Sequence, residues 1–398
     1  MFDAVVIGAG IAGASAVKSL KNNGLNKILL MDRAQDLAQG ASAHHHALCH
    51  PYIGRGASRL QRLTQLAFGA VPEVWGRYYE QTGVFHLAGP RFKEKKDLSE
   101  HLQTLGFDTG KTLAYGATEA YAEFGIEQTG TWFADGGYVN LQRAAQETLA
   151  NLPKQDRLLG VEINAIRYVN KVWTIDLADG VTHRAKRVFI CAGYGSSELL
   201  EGLKLAYPLK PVRGQLSYLR KKDGIQTCLP RVPLTSDFYY IPYQQEDQVQ
   251  KFILGSTYDE HNQDLSPWPA SHEANLEQFT KLLGPITGLE IEDAYVGIRC
   301  VAHDRMPVIG PVPNYPGLYV ITALGSRAVM WTALAERLMS AHLKQELNQA
   351  SFFAARFLLG DLAFAGFSDD LVSAFSPARF LAGVSNSKPT LPFSSQTR

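Results

Sequence analysis

Residues 1–33 read MFDAVVIGAGIAGASAVKSLKNNGLNKILLMDR. Ala4-Val5-Val6-Ile7 is an apolar run with no helical period, which predicts a buried parallel strand. Gly8, Gly10 and Gly13 follow as Gly-x-Gly-x-x-Gly, and residues 14–20 carry apolar side chains at helical spacing. A second apolar run, Lys27 to Met31, ends in Asp32. Gly8 permits the tight turn out of the strand. Gly10 removes a Cβ where a pyrophosphate approaches the backbone, and Gly13 lets the helix lie close on the sheet. The helix start at Ile11 and Ala12 offers free N–H groups and partial positive charge to phosphate. Asp32 stands about 20 residues beyond the last glycine, where an acid reaches a ribose hydroxyl. Glycines alone also mark ordinary turns. The ordered set of strand, glycines, helix, strand and acid predicts a dinucleotide-binding unit.

Two features favour FAD over NAD. The motif opens the chain, as in two-domain FAD oxidoreductases, and Arg33 follows Asp32 where a basic side chain suits the FAD phosphates. The predicted fold class is α/β: a Rossmann-like FAD-binding domain of the glutathione-reductase type, joined to an antiparallel-sheet substrate domain.

The totals agree with this. A chain of 398 residues can hold two domains. Apolar residues make 45% and charged residues 19%, as in a soluble globular enzyme. The net charge of +1 neither demands nor excludes an anionic partner such as RNA. No apolar run reaches membrane-spanning length, and the chain starts directly in a strand, so neither a signal peptide nor a membrane partner is expected. Cys49, Cys191, Cys228 and Cys300 are scattered without Cys-x-x-Cys spacing. They read as reduced thiols of a cytoplasmic protein.

Beyond the second strand, residues 37–51 form a loop containing Ala41, Ser42, His45, His46 and Ala47, expected to line the cofactor cavity. His44, His45, His46, Cys49 and His50 cluster here, but no second spaced pair stands out, and no metal is expected. Residues 188–193 make an apolar strand ending in Ala192-Gly193, placed beneath the adenosine side of the cofactor. Residues 207–290 are rich in strands, with Tyr239, Tyr240 and Tyr243 in a middle one. Residues 318–323 form a strand, Gly325, Ser326 and Arg327 a turn, and after Ala328 a helix runs to about Leu343. A glycine turn feeding a helix N-terminus stabilises the negative charge that develops on a reduced flavin. The resulting division is a discontinuous FAD-binding domain (1–81, 138–206 and 296–345), a substrate domain (82–137 and 207–295) and a C-terminal extension (346–398) with a disordered tail.

Taken together, residues 8–13, 41–51, Gly136-Gly137, Gly214-Gln215, Gly297-Ile-Arg-Cys300 with Asp304, Pro307 and Gly310, and Ala323-Leu-Gly-Ser-Arg327 resemble the FAD-dependent amine oxidases of the D-amino-acid oxidase and glycine oxidase type. More closely, they are similar to the FAD domain of the MnmC family of tRNA 5-methylaminomethyl-2-thiouridine biosynthesis proteins. The resemblance implies oxidation of wobble 5-carboxymethylaminomethyl-(2-thio)uridine in tRNA to the 5-aminomethyl nucleoside and glyoxylate. No methyltransferase domain is expected ahead of the first strand, so either a separate methyltransferase is expected downstream or the pathway stops at the amine. The alternative is oxidation of a free small amine: glycine, sarcosine or a D-amino acid.

By the same resemblance, Arg299 and Arg327 hold the substrate carboxylate or line the flavin, Tyr240 is a substrate-side tyrosine, and the backbone of Ile163 meets the adenine. A guanidinium suits a carboxylate because it binds both oxygens at once. Cys300 falls near the position where sarcosine oxidases attach flavin covalently, but the FAD is expected to be non-covalent. His44-His45-His46 departs from the family's Asn-Arg-Gln type of sequence. Arg55, Arg59, Arg62, Lys93, Lys95, Lys96, Arg220, Lys221 and Lys222 are the candidate tRNA phosphate contacts.

Overall fold

The strand Ala4–Ile7 runs into Gly8, whose φ of +114° only glycine adopts readily, and the helix Ile11–Asn22 leaves the turn. The computed structural model describes residues 1–222, 229–244, 250–284, 288–348, 371 and 373–380. The first strand lies inside a six-stranded sheet in the order Val308–Pro311, Leu318–Thr322, Val188–Ile190, Ala4–Ile7, Ile28–Asp32, Arg157–Leu159. Its strands are parallel except Val308–Pro311. The central strands are buried on both faces, which is why they read as unbroken apolar runs.

The helices Ile11–Asn22, Arg59–Trp75, Leu141–Ala150 and Ala328–Asn348 supply the core on one face, with Val17, Leu63, Leu149 and Leu338 in a single cluster. The other face packs on Ile166, Trp173 and Ile175 of a small antiparallel sheet, Ile163–Val169, Val172–Leu177 and Thr182–Ala185. The glycine at position 13 is packed as its spacing requires: a Cβ there would fall on the Gly8 carbonyl oxygen.

The second sheet has eight strands in the order Leu289–Ala302, Leu209–Lys221, Gln250–Gly255, Tyr239–Gln244, Leu234–Thr235, Val84–Leu87, Gly130–Phe133, Thr112–Tyr115. All pairs are antiparallel except Leu234–Thr235 with Val84–Leu87. One face is covered by the helix Pro269–Leu283, whose Phe279 packs on Tyr240 and Phe252.

Two sequence-based boundaries shift. Residues 296–302, expected in the FAD-binding domain, complete the long strand Leu289–Ala302, which pairs with Leu209–Lys221 along its length. The expected extension is not separate throughout. Leu371, Ala374 and Phe375 enter the first core, the Phe375 carbonyl accepts from Ile309 N at 2.9 Å, and Arg379 pairs with Asp304 at 2.7 Å. The tail around Ser394, expected to be disordered, and Cys228 lie outside the described residues. No helix among the described residues is long and apolar enough to cross a membrane.

Candidate active site

A cavity of about 1530 Å³ opens between the two large sheets, at the carboxyl ends of the parallel strands. That is where open α/β sheets bind ligands, because the chain reverses direction there and leaves a crevice. The volume exceeds that of an ordinary small-molecule pocket, so the space suits a dinucleotide together with a substrate.

One end is built from the first βαβ unit. Gly8, Gly10, Ile11, Ala12, Asp32 and Arg33 line it. A Cβ on Gly10 would lie 2.8 Å from Ser42 Oγ, and Ile11 N donates to that oxygen at 3.0 Å. The Asp32 carboxylate accepts from Ala9 N at 2.5 Å and Ala34 N at 2.7 Å. These amides orient it and leave lone pairs for sugar hydroxyls. Ala41, Ser42, Ala47, Ile163, Ala192 and Gly193 continue the wall, and Gly325, Ser326, Arg327 and Ala328 meet it from the last strand–helix turn. This Cβ-free, amide-rich cradle with an oriented acid fits a flavin adenine dinucleotide. Cys300 also faces the cavity, but burial raises its thiol pKa, so it is protonated at neutral pH and a poor nucleophile.

Arg299 stands at the other end. Its Nη2 donates to Ser256 Oγ at 2.5 Å and its Nη1 to Thr257 O at 3.3 Å. Its guanidinium lies directly over Gly214, in space that a Cβ would fill. Arg327 sits 5.4 Å from the Tyr52 ring centroid, a cation–π contact. Neither arginine has a carboxylate partner among the described residues. Burial lowers both pKa values from the arginine norm, yet a guanidinium stays charged. Both therefore present uncompensated positive charge to the cavity.

Three histidines share this wall: His44, His50 and His86. Burial, then the charge of Arg299, lowers His44 to about 3. Burial, then His86 and Arg327, lowers His50 to about 3, and burial lowers His86 to about 4. All three are neutral at pH 7. Because their folded pKa values lie below the free value near 6.5, the unfolded chain binds more protons as acid is added. Stability is therefore expected to fall as the pH drops from about 7 toward 4, by the order of 1 kcal/mol for each histidine. Urea midpoints at pH 7 and pH 5 check this; equal midpoints would refute it.

Some expected residues are elsewhere. Tyr240 is fully buried on the opposite face of its strand, where its hydroxyl donates to Pro230 O at 3.0 Å. Strand alternation turns Tyr239 to the cavity instead. His45 is exposed outside the cavity, and His46 packs between Tyr138 and Tyr243 at ring distances of 4.7 and 4.6 Å. Gly13 lies behind the turn and serves packing alone. The residues that sequence reasoning misses are His44, His50, His86, Tyr239, Tyr258 and Tyr295. Only Tyr239 carries a local signal, its phase in the strand.

The family model described as DAO, FAD dependent oxidoreductase, matches residues 3–341. The chain belongs to that family. FAD is its cofactor, and it is an FAD-dependent oxidoreductase. The bifunctional protein MnmC for tRNA 5-methylaminomethyl-2-thiouridine biosynthesis from Marinobacter nauticus is 29% identical over 362 residues, covering 86% of this chain and 55% of the relative. That of Burkholderia thailandensis is 30% identical, covering 90% of this chain and 60% of the relative. The chain thus spans little more than half the length of these relatives. Among solved structures, glycine oxidase from Bacillus cereus superposes with a TM-score of 0.70 at 18% identity, covering 90% of this chain and 97% of that one. This places the DAO fold around the cavity.

Proposed function

We propose that this chain oxidises the CH–NH bond of the carboxymethylaminomethyl group on wobble 5-carboxymethylaminomethyl-(2-thio)uridine in tRNA, releasing glyoxylate and leaving the 5-aminomethyl nucleoside. The observation that carries this reading is Arg299, a charged fork at the cavity wall without a carboxylate partner among the described residues. The substrate group is an N-alkylated glycine and ends in the anion this fork accepts. The similarity to MnmC supports the nucleoside.

FAD, when bound, supplies the acceptor for the hydride lost from the carboxymethyl carbon. The amine lone pair forms the C=N bond as that C–H bond breaks, so the amine reacts unprotonated. Arg299 anchors the carboxylate and so orients the C–H bond. Neutral His44, His50 and His86 add no positive charge to that of Arg299 and Arg327 beside them. Water then adds to the imine carbon and the C–N bond breaks, giving glyoxylate and the primary amine. A methyltransferase acting downstream takes that amine, and the tRNA substrate places the reaction in the cytoplasm.

Gly214→Ala tests the anchor. The new Cβ displaces the guanidinium, which is expected to raise KM roughly tenfold to a hundredfold while FAD content is retained. Steady-state kinetics with flavin absorbance reads both, and an unchanged KM would argue against a carboxylate at Arg299.

A free small amine is the second reading. It is favoured by the pairing of several candidate phosphate contacts: Lys95 with Glu119 at 2.8 Å, Lys96 with Glu100 at 4.0 Å, and Arg220 with Glu290. Arg55 remains exposed at the cavity mouth. The deciding experiment incubates the FAD-loaded protein with tRNA carrying the carboxymethylaminomethyl nucleoside and follows a nucleoside digest by mass spectrometry. Glycine and sarcosine are tested in parallel by flavin bleaching. Loss of the carboxymethyl group, weakened steeply by salt, supports the proposal. An unchanged nucleoside beside a flavin bleached by glycine or sarcosine overturns it.

A further inference from the structure

Tyr258 lines the cavity and is 52% exposed, and Leu265, also on the cavity wall, is 60% exposed. Single exposed apolar side chains are ordinary on a protein surface. These two differ because the segment that carries them is held rigidly. Arg213 and Asp259 exchange two backbone hydrogen bonds at 2.8 and 3.0 Å. Gln215 N donates to Thr257 Oγ1 at 2.9 Å. Farther along, the fully buried Arg213 donates to Asp264 O and Ser266 O, each at 2.7 Å, and its guanidinium lies 4.0 Å from the Trp268 ring centroid. Gln215 closes the staple by accepting from Trp268 N at 2.8 Å and donating to Trp268 O at 3.0 Å. A ring held by an anchored backbone loses little freedom when a ligand covers it.

The position of Tyr258 matters as much as its rigidity. Arg299 donates to the carbonyl of Thr257, so the tyrosine is the next residue beyond the carboxylate anchor, toward the mouth. In the proposed substrate a short methylene–amine–methylene spacer separates carboxylate from base. The Tyr258 phenol is near enough to Arg299 to act on its charge, so a base one short spacer from a carboxylate on Arg299 comes within reach of that ring. A free glycine has nothing to place there.

We propose that Tyr258, with Leu265 on the same cavity wall, is the platform on which the uracil base of the substrate nucleotide stacks once it leaves its neighbours in the RNA. This rests on the function proposed above. Aromatic rings grip extruded bases in this way because every base has a π-face, and removing such a ring weakens binding measurably. Tyr258 is then the residue that separates a base-bearing amine from a free one.

The test compares Tyr258→Ala, Tyr258→Phe and Tyr258→Trp in FAD-loaded protein. Two substrates are used, the carboxymethylaminomethyl nucleotide in tRNA and free sarcosine. A second readout is calorimetric binding of an ether analogue of the nucleoside, with oxygen in place of the oxidised amine. The expected result is that Tyr258→Ala lowers the ratio of kcat/KM for nucleotide over sarcosine roughly tenfold to a hundredfold, mainly through KM, and weakens the ether analogue by a similar factor. Tyr258→Phe and Tyr258→Trp keep both, since stacking needs the ring and not the hydroxyl. If the wild type oxidises the nucleotide and Tyr258→Ala leaves ratio and binding unchanged, this inference alone is overturned. It is overturned as well if Tyr258→Phe loses as much as alanine, because the hydroxyl would then be the active group. If the wild type leaves the nucleotide untouched, the proposed function falls, and the platform with it.

Discussion

Arg299→Gln is expected to lower kcat/KM for the carboxymethylaminomethyl substrate at least a hundredfold, with FAD content unchanged. The guanidinium is aimed by Ser256 Oγ and the Thr257 carbonyl and faces the cavity without an acidic partner among the described residues. A carboxylate placed on it gains two charge-assisted hydrogen bonds, each worth about 1.5–3 kcal/mol. Losing both removes about 3 kcal/mol or more, and 1.4 kcal/mol is a factor of ten. Lysine is expected to restore little, because a point ammonium cannot hold the two contacts and the carboxylate in one plane. Steady-state kinetics and the flavin spectrum of the purified variants decide the matter. A loss below tenfold in Arg299→Gln would move the anchor elsewhere, with Arg327 the next cation to test.

The second large effect is structural. Gly13→Ala is expected to destabilise the protein by about 3 kcal/mol and to yield protein depleted in FAD. Its Cβ would fall on the Gly8 carbonyl oxygen, so the collision is with backbone, not with a side chain that can swing aside. Relief requires the helix Ile11–Asn22 to back away from the strand Ala4–Ile7 and opens the cradle. Gly10→Ala provides the contrast. Its Cβ meets only Ser42 Oγ at 2.8 Å, a side-chain atom, so it is expected to spare stability more than Gly13→Ala while still crowding the pyrophosphate. Urea unfolding and flavin-to-protein absorbance ratios check both. A stable Gly13→Ala with full FAD occupancy would refute the packing argument.

The cofactor end of the cavity is legible in the sequence because its parts are neighbours in the chain. Strand, turn, helix and acid lie within residues 4–32, and each residue type answers a local demand: positive φ at Gly8, a missing Cβ at Gly10, close packing at Gly13, an amide-held carboxylate at the cavity wall at Asp32. The turn at Gly325–Arg327 is legible for the same reason. The substrate end is legible only in its arginines. Sequence reasoning selects Tyr240 where Tyr239 faces the cavity, although the two share one short strand. Alternation says that they point opposite ways, but not which way is inward. That depends on which face the helix Pro269–Leu283 covers.

It likewise selects His45 and His46 where His44 and His50 line the wall. Those histidines flank the short strand Ala47–Cys49, whose orientation is set by pairing with Gly137–Val139, far along the chain. His86 and Tyr258 arrive from strands and loops that meet only through the eight-stranded sheet. The amino-acid order alone thus pointed to the cofactor, FAD, and to the glycine turn that lines one end of the cavity, because backbone sterics act between adjacent residues. Assembly of the two sheets decided which tyrosine, which histidines and which rim face the cavity, because the inward face of a strand is defined only by what packs against it.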